Sequence, residues 1–178
     1  RNEFQCLVYA PPCVAPSIPN LFKSPNNNVC PGTNTTLSIT SGNLNSATEW
    51  RWYADACGTN YISSGNSIVV NPTATKTYFV RGESGGCVIP GSCASITVIV
   101  NPTLTPAVSI NTSTTTVCQN ASVVFNATPT NGGASPSYQW KVNGTNVGTN
   151  SSSFTTTSLT NGQIVTCVLT SNANCLST

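Results

Sequence analysis

The sequence predicts an all-β chain of two antiparallel β-sandwiches in tandem. Three observations carry this prediction: short stretches that alternate apolar and polar residues, turn signals about every ten residues, and a second half that repeats the pattern of the first. No stretch shows the period of a helix.

The clearest strand contains Trp50 and Trp52. Side chains two residues apart share one face of a strand, so both indoles are predicted to point inward. Tyr138 and Trp140 repeat this pair at a constant offset, since 138 − 50 = 88 and 140 − 52 = 88. The same offset aligns five further pairs: Val29 with Val117, Cys30 with Cys118, Leu37 with Phe125, Phe79 with Cys167, and Cys87 with Cys175. Such self-similarity predicts an array of small β-sandwich domains.

The predicted domains are residues 21–101 and 107–178. The first contains strands at 35–40, 48–53, 67–70, 77–81 and 95–100, and the second contains strands at 122–127, 138–142, 153–157 and 164–170. An Asn143-Gly144 turn follows the second tryptophan strand. Residues 102–106 hold two prolines and are predicted to be a semi-rigid linker. Residues 1–20 are interpreted as the tail of a preceding repeat or an N-terminal extension.

The predicted core takes inward positions from both repeats: Leu37, Trp50, Trp52, Phe79, Phe125, Tyr138, Trp140 and Cys167. The indoles could instead stack on sugars, but core packing is favoured because they occupy a central strand. Tyr53 and Tyr61 are the candidates for a surface contact.

The composition excludes several classes of function. With 6% charged residues and a net charge of +2, the chain has no basic groove for nucleic acid. No apolar run reaches the roughly 18 residues of a membrane span. There is no histidine, and the four carboxylates are isolated in sequence, so we expect no active site, no metal site and no cofactor.

Nine cysteines in this composition predict an oxidising, extracellular setting. Zinc is disfavoured because no CxxC pair and no histidine occur. The disulfide candidates are Cys6, Cys13, Cys30, Cys57, Cys87, Cys93, Cys118 and Cys175. In the first domain, Cys30–Cys57 with Cys87–Cys93 is slightly favoured on topology over Cys30–Cys87 with Cys57–Cys93, which the repeat supports. The repeat also pairs Cys118 with Cys175, and Cys167 is a candidate free thiol.

Several motifs carry a family resemblance. Val29-Cys-Pro-Gly, Trp50-Arg-Trp-Tyr, the stretch 71–81 and Cys93-Ala-Ser-Ile-Thr-Val98 resemble immunoglobulin-like repeats of large surface proteins secreted by gliding Bacteroidota. The stretch 125–133, Tyr138-Gln-Trp140 and Leu169-Thr-Ser-Asn172 are similar to PKD-like modules. The resemblance implies tandem immunoglobulin-like sandwiches in a non-enzymatic, extracellular segment of a cell-surface adhesin, exported by type IX secretion and connected with gliding motility.

Two alternatives to an adhesin segment remain open at this point. One is a carbohydrate-binding accessory region of a secreted enzyme, and the other is a fibre subunit that assembles into a filament by strand exchange. The expected partners are neighbouring repeats or subunits and a surface glycan or polysaccharide, without nucleic acid or membrane insertion.

The second domain is expected to lack its last strand. Adding 88 to Ser95 gives 183, which lies beyond Thr178. An unpaired edge beside residues 164–170 would be a hazard for aggregation. We therefore expect either that the chain is a fragment or that a neighbouring molecule donates a strand, with Val14–Asn20 as one candidate donor.

Overall fold

The computed structural model of the protein describes residues 13–83 and 92–177. All regular elements in these residues are β-strands, and all their pairings are antiparallel, so the predicted all-β fold is confirmed. The chain forms two compact units, of which the first ends at Asn101 and the second begins at Pro102. The strands are β1 (Asn20–Ser24), β2 (Thr35–Ser41), β3 (Glu49–Ala54), β4 (Tyr61–Ser64), β5 (Ser67–Val70), β6 (Lys76–Glu83), β7 (Ala94–Val98), β8 (Ala107–Thr112), β9 (Val123–Thr130), β10 (Ser137–Val142), β11 (Thr145–Val147), β12 (Ser153–Thr156) and β13 (Val165–Thr170).

The first unit contains two sheets, with strand orders β1-β2-β5 and β4-β3-β6-β7. Their inner faces share one apolar cluster, in which Leu37, Trp52, Val80 and Val98 have no exposed surface. Trp50 is 5% exposed and belongs to the same cluster. The alternating pattern of each strand thus places its apolar side chains between the sheets.

The second unit contains sheets with strand orders β8-β9-β12 and β11-β10-β13. Its core is smaller: Ala127, Trp140 and Phe154 are buried, and half-buried side chains surround them, among them Phe125, Tyr138 and Cys167. Asn143 and Gly144 connect β10 to β11 with φ angles of 48° and 82°, the left-handed conformation that a two-residue hairpin turn requires.

The two units bury one tryptophan in the same way. Trp52 Nε1 donates a hydrogen bond to the Gly65 carbonyl at 2.9 Å, and Trp140 Nε1 donates one to the Ser151 carbonyl at 2.8 Å. Neither side chain has any exposed surface. Each indole therefore fills a core and satisfies its only polar group there.

Strand β6 of the first unit and strand β13 of the second do not follow the offset of 88 residues that relates the other aligned positions. This difference corrects the assignment of Phe79 to the core. Trp52 lies opposite Val80, and Trp140 lies opposite Cys167, so the offset here is 167 − 80 = 87. A change of one residue moves every side chain of a strand to the other face. In β6 the inward side chains are therefore Tyr78 and Val80, whereas Phe79 points away from the core.

The segment Val14–Asn20 packs against its own unit and is not a free donor strand. The Ser17 amide donates a hydrogen bond to the Asn43 carbonyl at 2.9 Å. Pro16 and Pro19 are buried. The segment is thus already engaged by the first unit.

The predicted linker is also partly built into a unit. The Leu104 amide donates to the Cys175 carbonyl, and the Ser177 amide donates to the Leu104 carbonyl, both at 2.8 Å. The Asn131 side chain donates to the Thr105 carbonyl at 3.0 Å. Residues 104 and 105 are therefore fixed by the second unit.

Candidate functional site

Four charged residues of the first unit gather on the outer face of the sheet β4-β3-β6-β7. The register pairs Glu49 with Glu83 and Arg51 with Arg81, which places all four side chains on the same face. Six residues form this charged face: Glu49, Arg51, Tyr53, Tyr61, Arg81 and Glu83. The fold thus assembles a polar cluster from charges that are scattered in sequence.

Glu83 is the centre of the charged face. Its carboxylate accepts hydrogen bonds from Arg81 Nε at 2.6 Å, from Arg51 Nη1 at 3.2 Å and from the Tyr53 hydroxyl. The Glu83 side chain is only 10% exposed, so it depends on these donors for solvation. Arg51 also donates through Nε to Glu49 at 2.6 Å and so links the two carboxylates.

Two tyrosine rings complete the charged face. The guanidinium carbon of Arg81 lies 5.5 Å from the centre of the Tyr53 ring, and that of Arg51 lies 5.8 Å from the centre of the Tyr61 ring. The two rings meet edge to face, with centres 6.1 Å apart. These are the distances of cation–π and aromatic contacts, which hold both guanidinium planes in place.

A cross-linked loop covers part of the charged face. Cys57, in the loop between β3 and β4, forms a disulfide with Cys93, directly before β7. Gly58 has a φ of +80°, and a Cβ atom there would lie 2.8 Å from a guanidinium nitrogen of Arg81. Glycine thus allows the loop to lie against the arginine, and Arg81 Nη1 is 3.8 Å from the Cys57 sulfur.

This disulfide corrects the favoured pairing of Cys30 with Cys57 and of Cys87 with Cys93. The loop folds back over the outer face of the sheet and so reaches the beginning of β7. Topology alone had placed Cys57 and Cys93 at opposite ends of the sandwich.

The remaining cysteines differ in state. Cys13, Cys30 and Cys175 are disulfide-bonded, whereas Cys118 is an exposed thiol and Cys167 a half-buried thiol. The expected pairing of Cys118 with Cys175 is therefore wrong. Cys175 instead lies in the segment that pairs with Leu104, away from its repeat-derived partner. The predicted cysteines Cys6 and Cys87 lie outside the described residues.

The electrostatics of the charged face keep both carboxylates ionised. The hydrogen bond from Arg51 lowers the pKa of Glu49. Burial raises the pKa of Glu83, but the hydrogen bonds from Tyr53 and Arg81 and the nearby guanidinium charges outweigh it, so this pKa is lowered. Burial, and then the hydrogen bond to Glu83, raise the pKa of Tyr53. Two Arg–Glu pairs therefore balance in charge, and neither carboxylate has the raised pKa of a general acid.

The two tyrosines that were candidates for a surface contact differ in their exposure to solvent. Tyr53 is only 4% exposed, because Arg81 and Tyr61 cover its ring and its hydroxyl donates a hydrogen bond to Glu83. Tyr61 is 58% exposed. The prediction that Tyr53 faces solvent was wrong, although the strand alternation does place it on the outer face.

Sequence reasoning did not find Arg81 and Glu83 as members of a site. Glu83 was interpreted as an isolated, solvated charge, because two of its three hydrogen-bond partners, Arg51 and Tyr53, are distant in sequence. The usable signal was the spacing of two between Glu49 and Arg51 and between Arg81 and Glu83, since such pairs on neighbouring strands face each other.

Among residues 13–83 and 92–177, no three or more His, Cys, Asp or Glu side chains are grouped so that they could hold a metal ion. Within the same residues, no helix has the length and apolarity to cross a membrane.

The described residues define an all-β protein of two units, each built from two antiparallel sheets. Residues 16–102 match the family model described as an Ig-like domain, CHU_C associated. A search of curated proteins gives no match.

Similar solved structures include the fibronectin(III)-like modules of Clostridium thermocellum CbhA, at 11% identity and a TM-score of 0.35, with 87% of each chain covered. A structure of Dscam is 15% identical with a TM-score of 0.36, covering 92% of this chain and 44% of that one. The full ectodomain of mouse nectin-like molecule 4 is 13% identical with a TM-score of 0.30, covering 91% of this chain and 65% of that one. The chain thus spans less than half the length of the Dscam chain.

Proposed function

We propose that the chain is a non-enzymatic structural and adhesive segment of a bacterial cell-surface protein, located outside the cell. The observation that carries this proposal is the Cys57–Cys93 disulfide, which holds a loop over the paired charges of an immunoglobulin-like sandwich. Structural disulfides of this kind persist in oxidising compartments and are rare in the cytosol. The resemblance to repeats of gliding Bacteroidota supports an adhesin exported by type IX secretion, with neighbouring repeats as its partners and a PKD-like second unit.

The arrangement of the charged face supports a passive role. Glu49 and Glu83 are both held by arginines, and the Tyr53 hydroxyl is engaged by Glu83. Groups that are paired in this way favour one rigid geometry. A rigid sheet with a fixed polar surface suits a spacer or contact module.

Localisation and disulfide state can be tested together on the producing bacterium. Intact cells would be treated with protease, and the released peptides mapped under non-reducing conditions. We expect peptides from this chain in the shaved fraction, with Cys57 joined to Cys93. If the chain is protected in intact cells and released only by lysis, the proposed location is wrong.

Adhesion needs a direct measurement. Beads carrying the full chain would be compared with uncoated beads for attachment to the producing cells and to their extracellular polysaccharide. Attachment at the level of the uncoated beads would contradict the adhesive part of the proposal.

A carbohydrate-binding accessory region is the second candidate, and one observation favours it. Tyr61 is 58% exposed, with the partly exposed Arg51 over its ring and Glu49 beside that arginine. An aromatic face next to charged hydrogen-bonding groups is a surface on which a sugar can stack.

Affinity electrophoresis in polysaccharide gels would test this second candidate. Tyr61→Ala should abolish retardation of the chain by the gel, whereas Phe22→Ala should not. Phe22 is a matched control because it is an aromatic residue that is 49% exposed on the other sheet of the same unit. Equal behaviour of the two variants would exclude Tyr61 as a sugar contact.

A further inference from the structure

All three Asn-Gly pairs of the chain lie in the second unit. They are Asn131-Gly132, Asn143-Gly144 and Asn161-Gly162. An asparagine followed by glycine is especially prone to spontaneous deamidation, because glycine has no Cβ atom to shield its amide nitrogen from the asparagine side chain. The sequence therefore contains three candidates for the same modification, and their surroundings in the fold distinguish them.

Deamidation at such a pair consumes only water. The glycine amide nitrogen attacks the side-chain carbonyl carbon of the asparagine, and the side-chain nitrogen leaves as ammonia with the proton that the glycine nitrogen gives up. The cyclic succinimide then adds a water molecule, which opens the ring on either side to give isoaspartate or aspartate. For this attack the asparagine side chain must leave its native contacts, and the backbone must rotate between its Cα and its carbonyl carbon.

Asn131-Gly132 is held on both sides of the bond that must rotate. The Asn131 side chain donates a hydrogen bond to the Thr105 carbonyl at 3.0 Å, and the Asn131 carbonyl accepts one from the Ser171 hydroxyl at 2.6 Å. The Gly132 carbonyl accepts a hydrogen bond from the Asn172 amide at 3.1 Å, and Gly132 itself is buried. Attack within this pair would therefore disrupt several contacts at once.

Asn143-Gly144 is exposed, but its asparagine is tied to a neighbouring segment. The Asn143 amide donates to the Ile164 carbonyl, and Asn143 Oδ1 accepts a hydrogen bond from the Ile164 amide, both at 2.9 Å. Rotation at Asn143 would break these bonds and disturb the hairpin between β10 and β11. Exposure alone therefore does not make this pair reactive.

Asn161-Gly162 lies in the exposed turn between β12 and β13. One backbone hydrogen bond of 3.2 Å, from the Gln163 amide to the Thr160 carbonyl, closes this turn. The Asn161 side chain makes no hydrogen bond to any described residue. A Cβ atom at Gly162 would have nothing within 4 Å, so the space around this glycine is open. The Asn161 side chain can thus turn toward the Gly162 nitrogen without losing a hydrogen bond.

We propose that Asn161 is a site of spontaneous deamidation and that it reacts ahead of Asn131 and Asn143. The second unit contains no aspartate or glutamate, and Lys141 is its only charged side chain. The product is therefore the first acidic side chain of this unit. Asn161 also lines a cavity of about 630 Å³ whose lining residues are all uncharged, so the modification puts a negative charge there. The proposal does not depend on an adhesive function.

Timed incubation of the full chain at mildly alkaline pH in heavy-oxygen water would test the proposal. Peptide mapping would locate the heavy oxygen that each reacting asparagine takes up, and an isoaspartyl methyltransferase would label the isoaspartate product. We expect Asn161 to react at least about fivefold faster than the other two, because each of those must first lose a hydrogen bond. In concentrated guanidinium chloride the three rates should converge, because the difference between them comes from the fold.

Two glycine variants locate the reacting nitrogen. Gly162→Ala should slow deamidation of Asn161 by about tenfold, because the added methyl group shields the amide nitrogen. Gly144→Ala is the matched control and should leave the rate at Asn161 unchanged. The two glycines have φ angles of +83° and +82°, and a Cβ atom at either would have nothing within 4 Å, so both variants carry the same backbone strain. Equal melting of the two variants would show that they are equally folded.

Four results would overturn the proposal. The first is deamidation of Asn131 or Asn143 as fast as that of Asn161 in the folded chain. The second is a rate order that persists in guanidinium chloride, since the fold would then not be its cause. The third is aspartate formed without isoaspartate, because the succinimide would not be an intermediate. The fourth is an unchanged rate at Asn161 in the Gly162→Ala variant.

Discussion

Replacement of Trp140 by alanine should unfold most of the second unit at room temperature. Trp140 has no exposed surface and donates its indole hydrogen to the Ser151 carbonyl. Loss of a buried tryptophan costs about 3 to 5 kcal/mol. The second unit has 178 − 102 + 1 = 77 residues. At about 0.05 to 0.15 kcal/mol per residue its total stability is about 4 to 12 kcal/mol, and its small core puts it near the lower end.

Replacement of the corresponding tryptophan in the first unit should lower the stability of that unit without unfolding it. Trp52→Ala removes an equally buried indole, but among the described residues ten buried side chains, Trp52 included, form that core, against three, Trp140 included, in the second unit. The first unit is also cross-linked between Cys57 and Cys93. We therefore expect Trp52→Ala to lower the melting temperature of the first unit and leave it folded at room temperature.

Calorimetry with hydrogen exchange resolved by peptide would separate the two units. Trp140→Ala should remove exchange protection from β9, β10 and β13 while the first unit keeps its own. Trp140→Phe is the matched control, since it retains an aromatic ring and loses the indole donor, for a smaller cost of about 1 to 3 kcal/mol. If Trp140→Ala leaves exchange in β10 and β13 unchanged, the role of this residue in the core is refuted.

Three further predictions can be checked on the purified chain. Reduction of Cys57–Cys93, with 36 residues of separation, should destabilise the first unit by about 4 kcal/mol in denaturant titrations, by loop-closure entropy. Because the pKa of Glu83 is lowered on folding, the first unit should retain the contribution of this residue above about pH 4.3 and lose it as the pH falls further; Glu83→Gln should flatten that decline in acid titrations. Cys118 should be alkylated faster than Cys167, whose thiol is half-buried and has its pKa raised by burial, as mass spectrometry of timed samples would show. Equal melting of oxidised and reduced protein, a Glu83→Gln acid profile like that of the unaltered chain, or equal alkylation rates would contradict the respective prediction.

Alternation and the repeat were sufficient to predict the sandwich fold and the places of its tryptophans. Trp50 and Trp52 are two residues apart between polar neighbours, and such a strand can bury only one face. The offset of 88 then carried the same inference to Trp140. These features are local or periodic, so the sequence by itself determined them.

The charged face and the disulfide were decided by the tertiary structure. Tyr53 is on the outer face, as its alternation requires, yet Arg81, Tyr61 and Glu83 bury it from neighbouring strands. The bond between Cys57 and Cys93 depends on a loop that folds back across the sheet. Burial on an outer face results from contacts between residues far apart in the chain, which no local pattern encodes.

The register of the strands that contain Phe79 and Cys167 shows the same limit on a smaller scale. The sequence placed Phe79 and Cys167 at equivalent positions, whereas the structure pairs Val80 and Cys167 with the two buried tryptophans. Both strands contain apolar residues at odd and even positions, so their own sequences allow either face to point inward. Pairing with the tryptophan strand chose between the two faces, because a strand that slips by one residue exchanges its buried side chains for its exposed ones.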